Sequence, residues 1–271
     1  MNIYGRVGWR AAASVNPAPG VDADALAFIT AASITDNTQK SAINTLVTQL
    51  KTYGIWTKLK AVYPFVGGNA SAHKFNLKDP RDLDAAYRLV FNGGWVHSST
   101  GVLPNGSNAF AETRFNPTSL TSSSAHLSYY SRTSTGFAGY EIGSIQTSNT
   151  TQLALITRYS DDKQYAFAGN YNALPSTTNT DGRGFYITNR NSSTNTTGFK
   201  NITKTIDTTQ TGGLPNVNLC IGAYFMNGSN IGGYGNKESA FASIGDGLTD
   251  TEASNFYTAV QAYQTTLGRA V

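Results

Sequence analysis

Residues 92–245 constrain this chain most. Half of them (77 of 154) are Gly, Ser, Thr or Asn, yet short apolar or aromatic runs recur throughout. The runs are 109–115, 126–130, 140–145, 153–159, 165–168, 184–188, 217–224 and 240–244. Many short strands divided by turn residues read as an antiparallel sandwich or jelly roll. Every polar tract is bounded by a strand signal, so polar bulk here is no sign of disorder. Within two runs the alternation is explicit. Leu153, Leu155, Thr157 and Tyr159 share one face, and Phe185 and Ile187 share another, as in strands half exposed to water.

The flanks read as helical. Asp22 or Asp24 can cap a first helix reaching Ile34, with Leu26, Ile29 and Ala32 or Ser33 on one face. Asp36 and Gln39 resemble a capping pair for a second, whose stripe is Ile43, Leu46, Val47 and Leu50 and whose stop is Gly54. A short helix is expected over residues 55–63, ending before Pro64. Asp79-Pro80 pairs an N-cap with Pro at N1, so another helix is expected with Leu83, Ala86, Tyr87 and Val90 as its stripe and Gly93-Gly94 as its end. Thr249 and Glu252 form a capping box for a last helix. Its stripe is Ala253, Phe256, Val260, Tyr263 and Leu267, with Gly268 as the stop. That stripe covers barely two heptads, so it is expected to pack on its own sheet rather than form a seam between chains.

At 271 residues the chain suits one large or two modest domains. Its net charge is +4 with scattered basic residues, so no patch for nucleic acid stands out. No segment approaches the eighteen or so apolar residues of a membrane helix. Arg6 and Arg10 are followed only by Ala11–Ala13, without the apolar core of a signal peptide. The single cysteine, Cys220, sits between Leu219 and Ile221 and reads as a buried small hydrophobe. With no disulfide available within the chain, synthesis in the cytoplasm is expected. Residues 1–20 read as an arm without a core, broken by Asn16-Pro17-Ala18-Pro19-Gly20. Tyr4, Arg6, Trp9 and Arg10 are its candidates for anchoring to another subunit, since Trp, Tyr and Arg concentrate interface energy.

Three segments resemble one family. Residues 239–249, continuing through Glu252, Phe256-Tyr257 and Tyr263-Gln264 to Leu267-Gly268-Arg269, are similar to the ending of concanavalin A-like (laminin G-like) jelly rolls of bacteriophage virion proteins. Residues 184–190, followed by Phe199-Lys200-Asn201, resemble a paired-strand motif of the same domains. Residues 73–80 through Phe91-Asn92-Gly93-Gly94-Trp95 resemble their helical lead-in. The likeness spans roughly residues 22–271. It implies a mostly β, concanavalin A-like antiparallel sandwich, preceded by a small helical subdomain and closed by a C-terminal helix. The corresponding divisions are an arm (1–20), a helical subdomain (21–94) and a lectin-like jelly roll with its final helix (95–271). Asn201-Ile202 departs from the family's Lys-Asn-Gly turn, so a longer hairpin is expected there. Lectin-like sandwiches often use calcium, for which Asp181 and Asp246 are the candidates. Neither sits in a carboxylate cluster, so no metal or other cofactor is expected.

Some jelly rolls of this architecture cleave glycosides, which requires two carboxylates on one strand, commonly as Glu-x-Asp-x-Glu. Glu141 has no partner at alternate positions, and Asp161-Asp162 is adjacent and reads as a turn. No catalytic residue is therefore expected. His73, His97 and His126 match no metal spacing and read as hydrogen-bonded structural residues. No nucleophile elbow or phosphate loop is present. Seven Asn-x-Ser/Thr sequons occur, as chance dictates in a chain this rich in Asn, Ser and Thr. Sugar binding needs exposed aromatic faces beside amide or hydroxyl groups. Trp95, Tyr130, Tyr171, Tyr224 and Tyr234 are its candidates. The leading expectation is a non-enzymatic structural protein of a bacteriophage virion, assembled with other virion subunits as a homo-oligomer. The rivals are a glycan-binding adhesin of a fibre or bacterial surface, and a glycan-cleaving enzyme.

Overall fold

Asp22 starts the first helix, α1 (Ala23–Ala31), by accepting from the Asp24 N–H at 2.9 Å. A left-handed backbone at Ser33 (φ 52°) then stops it short of Ile34. Asp36 caps α2 (Asn37–Thr52) through the Gln39 N–H, and Ala42, Ile43, Leu46, Val47 and Leu50 form its buried stripe. Gln39 does not complete a capping box, because its Oε1 accepts from the Gly67 N–H at 2.9 Å. The computed structural model describes residues 20–271. The arm candidates Tyr4, Arg6, Trp9 and Arg10 lie outside that range.

Two expected helices are corrected. Residues 55–63 contain a strand, β1 (Leu59–Tyr63), antiparallel to the last strand of the chain. Ala61 and Tyr63 face one core while Leu59 and Val62 face another, so sheet pairing overrides the expected short helix. A short helix, α3 (Ala70–His73), follows. The start signal at Asp79 fails because its carboxylate is held by Arg81, with Nε at 2.7 Å and Nη2 at 2.5 Å. Instead the segment folds around buried Asn76. Its Oδ1 accepts from Val62 and Lys78 at 2.9 and 3.0 Å, and its Nδ2 donates to the Ala86 carbonyl at 3.0 Å. A single 3-10 turn (Asp84–Ala86) ends at Tyr87, whose φ is 59°, and Val90–Asn92 becomes β2.

There follow β3 (Trp95–Ser98), β4 (Gly101–Pro104), β5 (Phe110–Glu112), β6 (Ala125–Ser131), β7 (Ile142–Gln146), β8 (Thr151–Ile156) and β9 (Lys163–Asn170). Next come β10 (Ser176–Thr178), β11 (Gly184–Arg190), β12 (Asn195–Lys200), β13 (Thr203–Thr209), β14 (Cys220–Ile221) and β15 (Tyr224–Met226). β16 (Asn230–Gly232), β17 (Ser239–Gly245) and α4 (Asp250–Thr266) complete the chain. Each run marked in the sequence contains a strand. The hairpin expected to be long is tight: β12 and β13 are joined by Asn201-Ile202 alone. Asn201 supplies the turn, with φ 54° and its Oδ1 accepting from the Phe185 N–H at 2.8 Å.

The strands form two sheets. The first has order β13-β12-β11-β6-β17-β4-β3 with β1 beside β17, and the second has order β10-β9-β8-β7-β14-β5-β2 with β15 beside β7 and β16 beside β15. Strand alternation sends Leu127, Tyr129, Tyr186 and Ile244 of the first sheet against Ile142, Leu153, Leu155 and Ile221 of the second. The first sheet's other face is also covered. Tyr130, Phe185, Ile187 and Phe241 pack there in one cluster with Phe256, Val260 and Tyr263 of α4, on which α2 packs in turn. The α4 capping box forms in full, with Glu252 Oε2 accepting from the Thr249 N–H at 2.7 Å. Arg269, buried just beyond α4, donates to the Phe65, Pro64 and Ala240 carbonyls at 2.8–2.9 Å and fixes the C-terminal end. Among the described residues no helix lies on the second sheet's outer face, and none is long and apolar enough to cross a membrane.

Candidate functional site

On β8 and β9 the inward positions are Leu153, Leu155, Ala166 and Ala168, and the outward ones are Ala154, Ile156, Tyr165 and Phe167. On β9 the bulky residues therefore point away from the main core and the small ones point into it. The outward rings join into a row. Tyr165 and Phe167 lie 5.5 Å apart at 10°, Phe167 and Tyr140 6.3 Å apart at 17°, and Tyr140 meets Tyr224 edge-on at 4.8 Å. Tyr159 stands perpendicular to Tyr165 at 6.0 Å. Close backbone makes room for the row. A Cβ on Gly233, whose φ is 59°, would lie 2.7 Å from both the Tyr140 and the Tyr224 ring, so only glycine fits there.

Tyr140, Ile156, Tyr159, Tyr165, Phe167 and Leu174 enclose a cleft of about 200 Å³. Ile156 and Phe167 are its buried floor, the three tyrosines are half-buried walls, and Leu174 is a rim residue 66% exposed. Burial pushes the Tyr140 phenol up to about 12. Tyr165 also rises to about 12, through burial and through donating to Asp161 Oδ2 at 2.6 Å. Both stay neutral donors across the physiological range. Gln152 lies two residues before Ala154 on the same strand face and beside Tyr140. It is only 1% exposed, and its Nε2 makes no short hydrogen bond among the described residues, although the amide lies close enough to the Tyr140 hydroxyl to offset part of the rise that burial causes. An unpartnered buried amide is costly unless something supplies the acceptor.

The five sequence candidates are dispersed. Tyr224 lies in the row, and half-buried Tyr171 is close enough to Tyr140 and Tyr224 to influence both. Tyr234 bridges to Tyr140 through the backbone and packs on the Cys220 cluster. Tyr130 is corrected: it is buried beneath α4, with its hydroxyl donating to Gln261 Oε1 at 3.0 Å. Trp95 lies apart from the row and is half-buried. It packs at the sandwich edge against Phe91 at 5.3 Å, with Nε1 donating to the Asn92 carbonyl at 3.0 Å. Sequence reading missed Tyr140, Tyr159, Tyr165, Phe167 and Leu174. The inverted pattern on β9, aromatics alternating with alanines, was the signal available.

The carboxylates considered for chemistry are engaged. Glu141 is buried, with Oε1 2.7 Å from Lys237 Nζ and Oε2 accepting from the Thr157 N–H at 2.7 Å. Asp162 sits in the β8–β9 turn with φ 60° and pairs with Arg158 at 2.7 Å. Asp181 pairs with Arg183 at 2.9 Å and Asp246 with Lys60 at 2.7 Å. No group of three His, Cys, Asp or Glu converges among the described residues. His73 and His97 do meet, with Nδ1 atoms 3.0 Å apart. His126 is fully buried between the Asp246 carbonyl at 2.6 Å and Ser243 Oγ at 3.2 Å. Cys220 is buried on the side opposite Leu219 and Ile221, and burial raises its thiol well above the usual value.

No family model and no curated protein matches the chain. Among solved structures it is similar to the fourth domain of an extracellular arabinanase from Geobacillus stearothermophilus, solved in complex with arabinotriose. The identity is 12%, the coverage 73% of this chain and 98% of that one, and the TM-score 0.44. It is also similar to a structure of botulinum neurotoxin type C whose cell entry depends on two ganglioside molecules. There the identity is 9%, the coverage 78% and 53%, and the TM-score 0.49. The binding domain of botulinum neurotoxin serotype D gives 10% identity, 74% and 52% coverage, and a TM-score of 0.44. This chain thus spans about half the length of those toxin structures. At these identities the likeness is one of fold.

Proposed function

We propose that the protein is a non-enzymatic structural component of a bacteriophage particle whose jelly roll binds glycans through the open face of its second sheet. The observation that carries the binding half is the outward aromatic row of Tyr224, Tyr140, Phe167, Tyr165 and Tyr159. Flat apolar rings edged by phenol hydroxyls match a pyranose, which is apolar on its ring faces and polar around its rim. The virion setting rests on the sequence resemblance of residues 22–271. The non-enzymatic reading is supported by the burial of Glu141 in an ion pair with Lys237, where no glycosidic bond reaches it. Attachment to neighbouring virion subunits falls to the arm residues Tyr4, Arg6, Trp9 and Arg10.

A glycan array probed with the whole protein tests the binding half, with Tyr165→Ala as control. Retention of at least one glycan class that the variant loses is the expected result, and no retention, or equal retention by the variant, overturns it. Mass spectrometry of purified particles, with wild type and a deletion of residues 1–20, tests the setting. The expected result is incorporation that the deletion abolishes. Absence of the intact chain from the particle overturns the virion half.

A further inference from the structure

We infer that the cleft at the Tyr165 end of the row receives a methyl-terminated substituent of a neutral sugar, an N-acetyl or 6-deoxy group. This deepens, and rests on, the glycan reading. The argument starts from the lining. Tyr140, Ile156, Tyr159, Tyr165, Phe167 and Leu174 surround the cleft, and none of them carries a charge. Against the apolar side chains of Ile156, Phe167 and Leu174 a sugar hydroxyl would lose water with no partner from those three residues, whereas a methyl group gains area burial there. At about 200 Å³ the cleft lies below the ~300–1,000 Å³ typical of drug-sized sites, so it suits one ring edge and its substituent rather than an oligosaccharide.

The perpendicular setting of Tyr159 against Tyr165 supplies a wall beside the flat row. A ring stacked on the row therefore projects one substituent toward that wall. Leu174, 66% exposed on the turn between β9 and β10, closes the remaining side. In a monomer an exposed leucine of this kind gains little, but over a methyl group it completes the apolar enclosure. Charge points the same way. Beside the row Asp161 Oδ2 accepts from the Tyr165 hydroxyl at 2.6 Å, with Lys163 Nζ 3.8 Å from it. No cation lines the cleft, so a carboxylate-bearing sugar finds no charge partner in its walls.

Calorimetric titration of the whole protein with chitotriose and cellotriose tests this, because the two differ only in the 2-acetamido group. L-fucose against L-galactose isolates the 6-deoxy methyl in the same way. In one of the two pairs the methyl-bearing member is expected to bind roughly four- to tenfold more tightly, the worth of one buried methyl. Glucuronic acid is expected not to bind. Leu174→Ala, at an exposed position on the cleft rim, should bring that ratio close to one. Equal affinities within both pairs, an unchanged ratio in Leu174→Ala, or tighter binding of glucuronic acid overturns the inference and leaves the glycan reading standing. No binding by any sugar overturns the reading itself.

Discussion

The two outer faces of this sandwich are made by the same alternation and meet different ends. On the first sheet, Tyr130, Phe185 and Phe241 point outward and are roofed by α4 and α2, so that face serves stability. On the second, Tyr165, Phe167 and Tyr140 point outward with no helix above them among the described residues. Tyr140 and Tyr165 stay half-buried there over a buried Phe167, while the rings of the first sheet's outer face are sealed. The contrast also explains Tyr130, which sits on an aromatic-rich strand end but on the roofed face.

The largest expected effect breaks the roof. Phe256 contacts Phe185 at 5.2 Å and Phe241 at 5.9 Å, both edge-on, beneath α4. Phe256→Ala should cost ~3–5 kcal/mol in urea unfolding. Sugar affinity of the folded fraction should not change. A loss of affinity equal to the loss of stability would show that the two faces are not separable.

Acid should act on the same face next. Burial lowers His126, which stands edge-on to Phe256 at 5.9 Å, to about 4, and lowers His73 to about 3, with His97 adding to the latter. In the unfolded chain each takes a proton near pH 6.5, while the native chain does not. Stability is therefore complete above about pH 6.5 and falls as pH drops below it, down to about 4 for His126 and about 3 for His73. The loss by pH 5 is ~2 kcal/mol per histidine. The row holds no histidine, and Tyr140 and Tyr165 titrate near 12. Sugar affinity at pH 5.5 should then match that at pH 7.5 while the urea midpoint drops. A flat midpoint across that range, or an affinity that follows it, contradicts the assignment.

Much of the sandwich was legible because strand period and turn chemistry are local. Leu153 and Leu155, Phe185 and Ile187, and the Thr249 capping box each declare themselves within a few residues. The misreadings lie where distant partners decide. Residues 59–63 become a strand only because β17 is there to pair with. Residues 80–90 lose their helix to Arg81 and to Asn76, whose amide is satisfied from both sides of the chain. The site was half legible. Tyr224 and Tyr171 stood out beside Gly and Asn, but the row is assembled from β9, the entry to β7 and β15, which no local spacing connects. Ala166 and Ala168 between aromatics marked the inversion, visible only once their inward direction is known.

A smaller effect belongs to the open face itself. Tyr165 is half exposed, so Tyr165→Ala should lower stability by no more than ~1 kcal/mol. It should nonetheless weaken sugar binding at least tenfold, about 1.4 kcal/mol of affinity. Calorimetry and urea unfolding on one preparation measure both. A variant that unfolds easily but binds normally would make Tyr165 a packing residue and dissolve the difference between the faces.

The smallest expected effect is an absence of change at Cys220. This thiol lies on the outward side of β14, under the second sheet's open face, yet it is fully buried among Val217, Ala223 and Phe225. Burial raises its pKa well above the ordinary value, so little thiolate exists at neutral pH, and reagent must wait for the cluster over β14 to open. The native protein should label with a maleimide far more slowly than the urea-unfolded chain, and a saturating sugar should slow it no further, because the cluster lies off the row. If labelling is fast, the open face is mobile at β14 and β15, and Tyr224 is no fixed part of the row. If sugar strongly protects Cys220, the bound ligand reaches past Tyr224 toward Phe225, and the binding face is wider than the aromatic row alone.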